Sequence, residues 1–380
     1  MGAALAVGGD MAGEKDAMNL SQEDLAQRDA LVGRLFASTI GALELLHVYV
    51  GDRLGLYAAL AESGPLSPRT LASTAGIGVR YAREWLEEQA VAGILAVEAD
   101  SDDADDRTYG LPPAHAEVLN DPDSTNFMAP FGRGLAGLGS VLPEILQAFR
   151  TGGGVPYEAY GDDIRTSISM GNRPGFINLL GTKWFPTIPE LDRRLKAAPA
   201  ARVADIGCGA GWSSISMAKA HPMVTVTGFD LDSASIAEAR RNAGANGVAD
   251  RVKFELRDAA TAVSGQRFDL VTAFETIHDM SEPVHVLRAM RGLAVEGGFV
   301  LVADEKVAEK FTAPGDDMER YMYGWSALHC LPVGIRDATS AATGTVMRPD
   351  QLARYARDAG FERIEILPVE ADTWRFYRLS

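Results

Sequence analysis

With about 150 residues as an ordinary domain size, 380 residues make two to three domains with a large buried core, which excludes a disulfide-stapled mini-protein. Apolar residues at 47% and charged ones at 23% are ordinary globular values, so a fibrous or largely disordered chain does not fit. The balance of 36 basic against 52 acidic groups, net −16, sets up a field that repels phosphate backbones and anionic lipid, so neither nucleic acid nor a membrane is the expected partner.

Cys208 and Cys330 stand far apart, giving no disulfide framework and no paired-cysteine metal spacing, and a reducing cytoplasm suits them best. Met1 to Ala12 carries no basic start and too short an apolar run for a signal peptide. No apolar run approaches the roughly 18 to 20 residues of a membrane span. The expectation is an unexported cytoplasmic protein.

In chain order, residues 1–20 read as a disordered tail rich in Gly, Ala and Met. Residues 21–111 follow as a winged-helix domain. Ser21 and Asp24 start a long amphipathic helix with Val32, Leu35, Phe36, Leu43, Leu46 and Val50 at helical spacing. Ser67-Pro68 opens a shorter helix that Gly76 ends, and a further helix carries Trp85, Leu86 and Val91. Two strand-like runs, 94–97 and 107–111, flank an acidic loop, and this order of helix, turn, helix and hairpin spells a winged helix. Its arginines 69, 80, 83 and 107 are outnumbered by Glu84, Glu87, Glu88, Glu98, Asp100, Asp102, Asp103, Asp105 and Asp106. A groove-reading module needs the opposite sign, so packing or dimerisation is the expected role. Residues 112–200 read as connecting helices.

From 201 to 380 strand and helix patterns alternate. Strands are expected at 202–206, 224–229, 252–256, 269–274 and 299–303, the pattern of a doubly wound parallel sheet. The runs 363–367 and 373–379 are joined by too short a link for a crossover, so the last strand is expected to run antiparallel.

Directly after the first of these strands stands Asp205-Ile206-Gly207-Cys208-Gly209-Ala210-Gly211-Trp212, a strand-to-helix turn in which glycines let a ligand approach backbone amides. The dinucleotide pattern fails at Trp212, and the P-loop pattern fails for want of a lysine. The acid-x-Gly-x-Gly-x-Gly motif instead resembles motif I of the class I S-adenosylmethionine-dependent methyltransferases, and Asp230 and Asp258 end the second and third strands. The resemblance implies an α/β fold, a Rossmann-like seven-stranded methyltransferase sheet with an N-terminal α-helical winged-helix domain. It also implies S-adenosylmethionine as cofactor, with Asp205, Gly207, Gly209 and Gly211 at its aminocarboxylate end, Asp230 on the ribose and Asp258 on the adenine. Leu231, Ala259 and Glu275 complete the expected cofactor contacts. From about Ser21 onward the chain looks like the small-molecule O-methyltransferases that dimerise through their N-terminal region, so a homodimer acting on a small-molecule acceptor is expected.

In such a sheet the ligand sits at the topological switch point, between the first and fourth strands. The fourth strand ends Phe274-Glu275-Thr276-Ile277-His278-Asp279-Met280, which brings His278 beside the transferable methyl. An imidazole removes an acceptor proton near neutral pH without special tuning, and the resemblance also places a catalytic His here. His278, Asp279 and His329 together form a ligand set suited to a divalent metal, iron or zinc. A similar set occurs in the metal-dependent 2-oxo acid C-methyltransferases, which this chain also resembles, and metal-assisted C-methylation is therefore the first alternative. A winged-helix transcriptional regulator that senses a ligand is the second. Trp184, Phe185, Tyr160, Tyr321, Tyr323 and Trp325 are candidates for an apolar acceptor pocket. Oxygen, nitrogen and carbon all remain open as the methylated atom.

Overall fold

The computed structural model describes residues 20–258, 260–261 and 265–380. The expected tail at 1–20 falls, but for Leu20, outside the described residues, as does Ala259.

The chain divides at Glu44–Leu45 into two units. In the first, the helix Gln22–Arg53 begins on a reciprocal cap: the Ser21 hydroxyl accepts from the Asp24 amide at 3.1 Å, and the Asp24 carboxylate accepts from the Ser21 amide at 2.9 Å. Leu31, Val32, Leu35 and Phe36 are all 46% or more exposed. An 18-residue window of this helix has a mean hydropathy of 1.4, so by length and composition it is apolar enough to cross a membrane. This corrects the expectation of no span-length apolar segment. Arg34 and Glu44 interrupt the run, and a count of uninterrupted apolar residues misses it.

In the second unit the winged helix assembles as expected. Ser67 caps the helix Pro68–Ala75 by accepting from the Thr70 amide, and Gly76 ends it with φ 68°, a left-handed conformation that costs glycine nothing. The hairpin pairs β1 (Ala96–Ala99) with β2 (Thr108–Gly110), and Leu66 bridges to Tyr109 beside it. Tyr57, Leu71, Trp85, Leu86 and Tyr109 close a small core between hairpin and helices. Arg69 pairs with Asp103 and Asp106, Arg80 with Glu84, Arg83 with Asp105, and Arg107 with Asp100 and Glu87. The winged-helix domain thus pairs these arginines with its own carboxylates.

The remaining strands are β3 (Arg202–Ile206), β4 (Thr225–Asp230), β5 (Val252–Leu256), β6 (Phe268–Phe274), β7 (Ala294–Glu305), β8 (Ile364–Ile366) and β9 (Trp374–Leu379). They form one seven-stranded sheet in the order β5-β4-β3-β6-β7-β9-β8, parallel except for β9, which pairs antiparallel with both neighbours. Continuous apolar runs suit strands covered on both faces, and Val203, Ala204, Leu270, Val271 and Val302 are fully buried. One face packs on Leu180, Trp184 and Ile215, the other on Leu287, Met290 and Leu352, each such side chain contributing about 1.5–3 kcal/mol. The fifth strand runs longer than the expected 299–303. Ala294 pairs with Phe268, then the register slips before Phe299 meets Leu270, and Gly297 at φ 74° lies within the slip.

The order of strands turns back between β3 and β6. A crevice therefore opens beyond their carboxyl ends, at the expected switch point.

Candidate active site

Two adjoining cavities occupy that crevice. The first, of about 570 Å³, is lined by Gly207, Gly209, Asp230, Leu231, Asp258, Glu275 and Thr276 among others, and the second, of about 220 Å³, lies on the side of His278. Ile168, Glu275 and Asp279 line both and mark the seam between them.

The glycine loop passes its neighbours too closely for side chains, and Gly207 and Gly209 present bare backbone to the first cavity. Gly207 has φ 65°, and a Cβ there would stand 2.3 Å from the Thr276 hydroxyl; Gly211, at φ 83°, would meet the Phe254 ring at 2.6 Å. The loop's amides, however, do not form an open nest. Those of Gly207 and Cys208 donate to the Phe229 carbonyl, that of Gly209 to Asp230 Oδ2 at 2.8 Å, and that of Gly211 to the Cys208 carbonyl. The expected approach to free amides thus gives way to an approach to bare backbone.

Asp205 stands apart from the cavity. It is buried and accepts hydrogen bonds from Ser213 and Ser214 at 2.6 Å and from Thr272 at 2.8 Å, fastening the helix Trp212–Ala220 to the strand. Burial raises its pKa against the pull of those three hydroxyls. Of the loop glycines, Gly211 packs on Phe254 and does not line the cavity. Asp230, Leu231, Asp258 and Glu275 line it. Burial raises the pKa of Asp230, opposed by the amides of Asp232 and Gly209 that it accepts. The residues fit an S-adenosyl group: bare backbone at Gly207 and Gly209 lies in the same cavity as the strand-end carboxylate of Asp230, which suits ribose hydroxyls.

The second cavity is built around His278, which is 2% exposed. Its Nδ1 lies 2.6 Å from Asp304 Oδ1 at the end of β7, and its Nε2 lies 3.2 Å from Asp279 Oδ1. Burial alone would discharge the ring, but the carboxylates of Asp304 and Asp279 override it and hold the pKa well above the usual histidine range. Beside it, Glu275 takes a left-handed backbone at φ 49°, rare for a residue with a Cβ and worth about 1–3 kcal/mol of strain. Its carboxyl accepts from Asn172 and pairs with Glu305. Burial pushes the Glu305 carboxyl well above its ordinary range, and the neighbouring Glu275 charge adds to this. The two carboxyls therefore share a proton more readily than both ionise.

His278 and Asp279 do come together, but the third donor beside them is Cys330, not the expected His329. A nitrogen, an oxygen and a sulfur from His278, Asp279 and Cys330 lie within 4.8 Å of one another. His329 instead packs its ring on Tyr160 and Trp325, and burial lowers its pKa. The π-helical segment Ser326–Cys330 accounts for the change, because its wide turn sets the Cys330 thiol toward His278 while the His329 ring packs among aromatic neighbours. Of the aromatic candidates, Tyr321 and Trp325 line the second cavity. Trp184 and Phe185 belong to the core beneath the sheet, Tyr160 holds the Leu328 carbonyl, and the Tyr323 hydroxyl accepts from Arg348.

Sequence reasoning missed Asp304, Glu305, Asn172 and Cys330 as site residues. A signal existed for the first two: consecutive acids directly follow the expected fifth strand, at the sheet end where ligands bind.

Residues 198–355 match a family model described as a methyltransferase domain, and residues 41–121 match the Rv2258c-like winged HTH domain. The ubiquinone biosynthesis O-methyltransferase of Pseudomonas aeruginosa LESB58 is 31% identical over 195 residues, 50% of this chain and 74% of that protein. Its counterpart from Pseudomonas paraeruginosa PA7 is 32% identical over 169 residues, 43% of this chain and 66% of that one. Among solved structures, mitomycin 7-O-methyltransferase superimposes with a TM-score of 0.67 at 20% identity, covering 93% of this chain and 99% of that one. Human N-acetylserotonin methyltransferase in complex with S-adenosylmethionine gives 0.67 at 17% identity, covering 94% and 98%. The chain belongs to the class I S-adenosylmethionine-dependent methyltransferases. It is an S-adenosylmethionine-dependent methyltransferase with an N-terminal winged helix, similar to small-molecule O-methyltransferases.

Proposed function

We propose that this chain methylates an oxygen of a small-molecule acceptor held in the second cavity, with His278 and its two carboxylates managing the acceptor's proton. The observation that carries the reading is the Asp304–His278–Asp279 array at the seam of two adjoining cavities. Asp230, Leu231, Asp258 and the bare backbone at Gly207 and Gly209 would hold S-adenosylmethionine, which when bound supplies an electrophilic methyl group on a cationic sulfur. Asp304 fixes the Nδ1–H of His278, so that Nε2 and the Asp279 carboxylate face the acceptor's proton together. A positive charge at the seam pushes His278 toward its neutral, accepting form. Transfer of tritiated methyl to single-ring phenols tests this: His278→Ala is expected to lower kcat by about 10²–10⁴-fold, and a variant as fast as wild type removes the base.

The exposed apolar row at Leu31, Val32, Leu35 and Phe36 supports a homodimer, since four such side chains are costly to leave in water. Sedimentation equilibrium reads it. Two free, buried cysteines agree with a cytoplasmic setting.

A second reading, metal-assisted C-methylation, draws on the His278, Asp279 and Cys330 donors, with Asp304 orienting the imidazole from behind. A nitrogen, oxygen and sulfur set suits zinc better than iron. Against it, His278 and Asp279 already pair with each other, and burial pushes the Cys330 thiol up to about 12. An ion retained through tag-free purification and lost in Cys330→Ser favours this reading. The regulator alternative rests on the winged helix alone, and the pairing of Arg69, Arg80, Arg83 and Arg107 with carboxylates speaks against it.

A further inference from the structure

The second cavity has a one-sided charge. Glu275, Asp279 and Glu305 line it, whereas no Lys or Arg does among the described residues. Of the two imidazoles that line it, His278 is already flanked by Asp304 and Asp279, and burial lowers the pKa of His329. Glu305 is 4% exposed, and its Oε2 is buried with no hydrogen-bond partner. A buried carboxyl oxygen left without a donor is a costly arrangement that a ligand's donor would relieve. Phe131, Tyr321, Trp325 and Trp374 line the same cavity, and aromatic rings attract a cation as well as an aromatic body.

On the reading of this cavity as the acceptor site, we propose that its acceptor is a single-ring aromatic carrying a protonated amine, whose ammonium docks on Glu305 and Glu275. The volume of about 220 Å³ suits one ring with a short side chain. The amine donates to the open Glu305 oxygen, and its charge takes the place of the proton that the two glutamates otherwise share. An acceptor bearing a carboxylate meets three acids and no free cation, and is excluded. That exclusion also separates this site from one built for 2-oxo acids.

Three phenols of matched size test the proposal by calorimetric titration: tyramine, 4-ethylphenol and 3-(4-hydroxyphenyl)propanoate, each added to protein with and without S-adenosylhomocysteine. Tyramine is expected to bind about tenfold or more tighter than 4-ethylphenol, with the propanoate weakest. Glu305→Gln, checked for folding by circular dichroism, should bring tyramine down to the level of 4-ethylphenol. The proposal is overturned if tyramine does not bind, if 4-ethylphenol or the propanoate binds as tightly, or if a folded Glu305→Gln keeps the preference. Failure of S-adenosylhomocysteine to bind would strike instead at the reading of the first cavity. The ranking of the phenols on the free protein reports on the second cavity by itself.

Discussion

The two cavities share a sheet edge and three lining residues but are built on different principles. The first draws its glycine backbone and the carboxylates of Asp230 and Asp258 from short stretches at the ends of β3, β4 and β5, and is closed by residues such as Tyr157, Glu282 and Arg336 from elsewhere in the chain. The second gathers side chains from distant parts of the chain: His278 meets Asp304 26 residues on, and Asn172 meets Glu275 across 103. Backbone geometry governs the first and buried charge the second. A cofactor site of the first kind is therefore legible in a sequence, and an acceptor site of the second kind needs the fold.

This difference can be broken from either side. The largest effect is expected on the backbone side. Gly207→Val places a branched side chain at φ 65° where even a Cβ meets Thr276 at 2.3 Å. Affinity for S-adenosylhomocysteine should fall by about 100-fold or more, measured by calorimetry, while the winged-helix core is untouched. Retained binding would mean that the loop does not form the cradle.

On the charge side, Asp304→Asn leaves the cofactor cavity intact and removes one of the two carboxylates that raise the His278 pKa. It should cost about 10–100-fold in kcat. The neutral imidazole then persists to lower pH, so the acidic limb of the pH–rate profile should shift downward. An unmoved limb would separate His278 from the rate-limiting proton.

A smaller effect concerns stability. Burial raises the folded pKa of Glu275 and Glu305, so each carboxyl stabilises the fold fully below its unfolded value. That contribution is lost as pH climbs toward the folded values. Thermal melts should therefore fall more steeply between pH 5 and pH 8 in wild type than in Glu305→Gln. Equal slopes would show that the pair does not titrate as a buried unit.

The boundaries of β3 and β5 and the antiparallel last strand follow from alternation and link length alone, because local pattern and tertiary pairing agree there. His278 was legible because it sits just past a strand end at the switch point. Its partner Asp304 was not, because only the pairing of β6 with β7 sets it behind the ring. The choice of Cys330 over His329 depends on a π-helical turn, whose extra residue leaves no mark in hydrophobic periodicity. Asp205 shows the converse: an acid in the right motif position turned to three neighbouring hydroxyls.

The central claim is that the first cavity takes S-adenosylmethionine on a bare loop and a strand-end carboxylate. Isothermal titration of wild type and Asp230→Ala with S-adenosylmethionine tests it most directly. One site per chain is expected in wild type, weakened by about 10–100-fold in the variant, since Asp230 also holds the Gly209 amide. A wild-type protein that takes up no cofactor, or a variant that binds it equally well, would contradict the account.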